Sequence, residues 1–155
     1  MARQIQMFVG RNPRLACAIS LGFGATSLVY LSLVPGVGGL NGNLFAVAAG
    51  LTHALAGSIT GRRIVYPNKL PKLPHAALRG AGTSLLALLF FSLGLAGKIY
   101  QPQFGDRHPV VLVFFTFSFA FLGAGWALVI LSMGIGCGLC WFAPPQDSGI
   151  DEHRT

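Results

Sequence analysis

One histidine, His53, stands at the centre of an uncharged stretch of this chain, and apart from three cysteines no other ionisable side chain lies so deep in an apolar run. Burying such a group costs free energy, so an imidazole in that position is a candidate site. Two chemistries fit it. A neutral ring can be held by a neighbouring threonine, serine or carbonyl as part of helix packing. Alternatively, a ring nitrogen can ligate a metal, a haem or a chlorophyll-type pigment, with Ala49, Ala54 and Gly57 around it leaving room for a flat macrocycle. A bis-histidine haem would need a second histidine at the same depth, whereas His75 and His108 fall at the ends of apolar runs. A proton relay would want further titratable groups there, and the apolar runs hold no Asp or Glu.

Cys137 and Cys140 form a CxxC near the end of the last apolar run. That spacing serves dithiol exchange or half of a zinc site. A structural zinc needs four ligands, and Cys17 adds only a third thiolate. Packing of small residues at a glycine-rich helix end and acylation of a cysteine close to a membrane are the other uses of such thiols. Five phenylalanines, Phe114, Phe115, Phe117, Phe119 and Phe121, cluster at the start of the same run. At helical spacing 114, 117 and 121 share one face, and 115 and 119 another. Lipid-facing or packed rings are the plain reading, and a pocket for a carotenoid, sterol or quinone is the sharper one.

The elements that would carry these groups follow from composition. Hydrophobic residues make up 53% of the 155, and only 10% are charged, against about 25% charged in a soluble domain. A chain so poor in charge cannot dress a sphere for water, which leaves an all-α integral membrane protein. The formal net charge of +7 would suggest nucleic acid in a soluble protein. Here the basic residues flank apolar runs, so they read as topology signals and contacts with anionic lipid headgroups, with no nucleic-acid role.

Four transmembrane helices are expected, over about 15–34, 44–60, 76–97 and 110–133, arranged as two hairpins. A basic segment, 1–14, precedes them as a short interfacial helix, and a polar tail, 144–155, follows the membrane domain of 15–143. The second run is short and interrupted by glycine, so a re-entrant segment is its rival reading. The fourth run stays uncharged to Ala143, and its glycine-spaced end from Gly134 to Trp141 is expected to emerge through the interface. The first run is long for a cleaved signal peptide, and no small-x-small cleavage site follows it before Pro35. Three prolines, Pro67, Pro71 and Pro74, predict a stiff extended strap between the second and third helices.

Arg3, Arg11, Arg14, Arg62, Arg63, Lys69, Lys72, Arg79 and Arg154 fall on one side of this arrangement, and Lys98 and Arg107 on the other. The positive-inside rule puts both termini and the Arg62–Arg79 loop on the cytoplasmic side. That loop, with Arg62, Arg63, Lys69, Lys72 and Arg79, is the expected contact for lipid or a soluble partner. In the second helix Ala46, Gly50, Ala54 and Ser58 recur at every fourth position, with Gly57 and Gly61 as a second pair. Small residues on one stripe let helix backbones approach closely, either within the chain or against another subunit.

No stretch assembles a nucleophile, a base and an oxyanion donor, and there is no phosphate loop, so catalysis is not expected. The leading expectation is a non-catalytic accessory subunit or assembly factor of a larger membrane complex, with other membrane subunits as partners. A small transporter or channel with His53 in its path is the alternative, as is a redox protein associated with a pigment, haem or quinone. The membrane itself, whether bacterial inner, thylakoid or another organelle's, is left open by the sequence.

Overall fold

The computed structural model describes residues 2–33, 40–67, 72–99 and 109–144. Among them every regular element is helical, and four helices are long and apolar enough to cross a membrane. By length and composition this is a multi-pass membrane protein. In hydrocarbon each backbone polar group must be satisfied within its own segment, and a helix does that along its whole length.

The helices are α1 (Ala2–Arg11), α2 (Pro13–Leu33), α3 (Leu40–Val65) and α4 (Lys72–Ile99), followed by α5 (Pro109–Ala120) and α6 (Trp126–Phe142). A single π turn, Phe121–Gly125, joins α5 to α6 without a break. Pro13 has no N–H to give, so the chain divides there into the short α1 and the long α2. The basic N-terminal segment is thus a helix of its own, with Val9 buried against Ala16 and Val65.

Helices run past the expected spans at several ends. Helix α3 runs beyond residue 60 through Arg62 and Arg63 to Val65. The two arginines suit the negative end of the helix dipole, and the Arg79 guanidinium of α4 donates to the Arg63 carbonyl. Helix α4 starts at Lys72, so Pro74 belongs to its first turn and not to an extended strap. A proline is tolerated there because first-turn N–H groups have no helical partner anyway. Lastly, the glycine-spaced end of the fourth run is helix to Phe142, well past Met133. Packing overrides the weak propensity of its glycines. A Cβ on Gly136 would stand 2.8 Å from the Ala76 carbonyl oxygen, and the Cys137 thiol donates to the Leu73 carbonyl at 3.7 Å. Extended backbone at Ala143, before Pro144, then ends the helix.

Many small residues lie inside the bundle and many large ones outside. Ala16, Ala56, Ala76, Ala87, Ser92 and Ser132 are among its buried residues. Phe23, Leu31, Leu51, Leu78, Leu122 and Trp141 are exposed on its outer faces. Such a surface would aggregate in water, whereas lipid solvates it. Helix pairs run antiparallel. Along α2 and α3 the closest approaches match Thr26 to Gly50, Gly22 to Ala54, and Cys17 to Gly61. Along α4 and α6 they match Ala76 to Gly136 and Gly80 to Ser132.

These two seams are closed by glycine. A Cβ on Gly61 would meet Cys17 Cβ at 2.8 Å and the Arg14 Cα at 2.9 Å. One on Gly57 would lie 3.1 Å from the Cys17 carbonyl oxygen. The small-residue stripe of α3 is therefore spent inside the chain, against α2. Ser58 leaves the line: each step of four residues drifts about 40° around a helix, so Gly57 and Gly61 continue the contact that Gly50 begins. The Ser58 hydroxyl instead donates to its own helix, at the Leu55 carbonyl. The third seam, between α3 and α4, is polar. It carries the Arg79–Arg63 bond, the Thr60 and Thr83 hydroxyls 2.7 Å apart, and the contact of His53 with Ser84.

Candidate functional site

His53 is 1% exposed and faces α4. Its Nδ1 lies 2.8 Å from the Ala49 carbonyl oxygen and its Nε2 lies 3.1 Å from Ser84 Oγ. A carbonyl only accepts, so Nδ1 carries the proton and donates to Ala49. Burial with no charged side chain beside it disfavours an imidazolium, so the ring is neutral and Nε2 accepts from the Ser84 hydroxyl. Both nitrogens are occupied by these contacts. A metal or haem iron would have to displace one of them. On the side of Ala54 and Gly57 the chain is closely packed, because these two residues lie against Gly22 and Ala18 of α2.

Free space adjoins the ring. A cavity of about 630 Å³ opens between α2, α3, α4 and α5, with His53, Ala49, Leu88 and Leu128 in its lining. Phe115 and Phe119 of α5 and Phe45 of α3 line it too, and all three are exposed. The ring of Phe45 stands 6.0 Å from that of Phe91. Ser32, Thr52 and Thr116 are the other polar members of the lining, and no lining residue is charged.

A π turn borders this space. Trp126 N–H bonds to the carbonyl of Phe121, five residues back. One extra residue in a turn rotates α5 by about 100° relative to α6 and re-aims its side chains. The C-terminal half, α6, packs against both α4 and α2, while the main partner of α5 is α4. Gly123 and Ala124 of the turn contribute no bulk to the cavity they line.

The five phenylalanines divide as their spacing implies. Phe115 and Phe119 line this cavity, and Phe114 and Phe117 line a shallow apolar groove between α4 and α5. Phe121 stacks on Phe117 with ring centroids 6.4 Å apart.

The thiols do not converge on a site. Cys17 is buried beside Leu21 and Ile64, Cys137 bonds to a carbonyl, and all three cysteines are free. Among the described residues no group of three or more His, Cys, Asp or Glu side chains could hold a metal ion.

The basic residues gather at the end away from the cavity. Arg11, Arg14 and Arg62 line a cleft with Tyr66, where the α1–α2 junction meets the end of α3. Arg63 and Lys72 are exposed nearby in the chain, Arg79 is held by its bond to Arg63, and Lys69 lies outside the described residues. All four acids, Asp106, Asp147, Asp151 and Glu152, also lie outside them.

Compared with known proteins, the chain matches no family model, no curated protein and no solved structure. Its chemistry is therefore read from its own residues. The sequence singled out His53, but the cavity and the partner Ser84 were not legible in it. Ser84 is one of many scattered hydroxyls, and the π turn that borders the cavity has no signature beyond Gly123 and Gly125.

Proposed function

We propose that this chain is a non-catalytic accessory or assembly subunit of a larger membrane complex. It is folded as two helical hairpins with both termini on the cytoplasmic side. The collection of Arg11, Arg14, Arg62, Arg63 and Lys72 at one end of the bundle supports that orientation, since basic residues stay on the cytoplasmic face and attract anionic headgroups there.

One observation carries the subunit reading. The stripe of α3 is used within the chain, so it offers nothing to a partner. Gly134 and Gly138 of α6, also four residues apart, are different: a Cβ added at either would meet nothing within 4 Å. They form a small-xxx-small pair on a side of α6 away from Gly136, which is buried against Ala76. Lipid gains little from such a groove, whereas a second helix can approach its backbone closely.

The test is the pair Gly134→Leu and Gly138→Leu in one chain, extracted in mild detergent and weighed by native mass spectrometry. Both side chains have room, so the bundle is expected to stay folded while the assembly falls apart to the single chain. An assembly of unchanged mass, or a wild-type chain already alone, would reject the reading.

A further inference from the structure

We infer that the cavity beside His53 binds an uncharged membrane amphiphile whose head is a hydroxyl group, a long-chain or polycyclic alcohol. Its volume of about 630 Å³ is in the range of small-molecule pockets. The wall is mostly apolar and aromatic, which suits a hydrocarbon body. Every lining residue is uncharged, which leaves a phosphate or carboxylate head without a counter-ion.

The hydrogen-bonding polarity selects the head. Thr52 donates its proton to the Ala48 and Ala49 carbonyls, Thr116 to those of Leu112 and Val113, and Ser32 to that of Leu28. The Nδ1 proton of His53 is given to Ala49, and its Nε2 takes the proton of Ser84. Every polar proton on the wall is committed inward, while the three hydroxyl oxygens keep lone pairs to spare. What the cavity offers is acceptors. An alcohol supplies the missing donor. A ketone, a quinone or an ether can only accept, so it would have to break a helix contact to be satisfied.

The full chain in lipid nanodiscs is to be labelled with two photoreactive probes, one built on geranylgeraniol and one on cholesterol, with their methyl ethers as competitors. Saturable labelling by at least one alcohol is expected, mapped to Val111, Phe115, Phe119 or Ala124 of the lining. The parent alcohol should compete about tenfold better than its methyl ether, the factor one lost hydrogen bond of ~1.4 kcal/mol sets. Thr116→Val should weaken the alcohol by about five- to tenfold and leave the ether unchanged.

Gly123 lines the cavity and a Cβ there meets nothing within 4 Å, so Gly123→Leu is expected to occupy the space and abolish labelling. Gly82→Leu is equally unobstructed but lies outside the lining, and should leave labelling intact. Equal competition by alcohol and ether, labelling that survives Gly123→Leu, or no saturable labelling by either probe would each overturn the assignment. So would label confined to the outer groove at Leu85, Leu89 and Phe114.

Discussion

Replacing Gly80 with leucine will cost the bundle about 3 kcal/mol, the upper part of the usual range for overpacking a tight contact. A Cβ at Gly80 runs into the backbone carbonyl of Ser132, and 3.2 Å away stands the Cα of Met133. These are main-chain atoms of α6, so no rotamer change can make room. The helices must separate, and with them the facing contact of Gly136 on Ala76. Gly82 provides the internal control, because it lies two residues along the same helix and its Cβ position is empty. Gly82→Leu should change stability by less than about 0.5 kcal/mol, as surface substitutions do. Reversible unfolding by SDS titration in mixed micelles would measure both. A loss below about 1 kcal/mol for Gly80→Leu would mean that α4 and α6 do not meet there. Gly50→Ile belongs to the same class: its Cβ would run into the Thr26 hydroxyl and stand 3.0 Å from the Gly22 carbonyl oxygen, so it tests the fold and not an outside partner.

His53→Leu is expected to cost about 2 kcal/mol, within the range for stranding a buried hydrogen-bonding group. The leucine fills much of the same volume but leaves the Ser84 hydroxyl, 0% exposed, without its partner across the seam. Ser84→Ala strands Nε2 in turn, at about 1–2 kcal/mol. The double variant removes both partners, so its loss should fall about 1 kcal/mol short of the sum. Double-mutant coupling in a membrane bundle averages about 0.6 kcal/mol and reaches about 1.7, so this sets a demanding value for a fully buried pair. Strict additivity in the same titration would show that the two side chains do not interact. The outcome also bears on ligation, since a histidine committed to Ser84 is not free to take a metal.

The class of this protein was legible in its residues because a scarcity of charge and four long apolar runs leave lipid as the only compatible solvent. Which residues would be small was equally plain, and Gly50, Ala54, Gly57 and Gly61 do pack closely against another helix. The identity of that helix was not. A stripe of small residues states how near a backbone can come, not whose it is, and the antiparallel register of α2 on α3 decided it. Helices run past the spans expected from sequence where tertiary contacts outweigh local propensity, as in the glycines after Met133, held by Ala76 and Leu73. His53 stood out in the sequence because an imidazole amid apolar residues is costly anywhere. Whether it ligates or merely bonds depends on what faces each nitrogen. Ser84 comes from 31 residues away in the chain. The cavity beside it is bordered by a π turn, a change of one residue in the winding of a helix, and by residues from α2, α3, α4 and α5 that only the tertiary packing brings together.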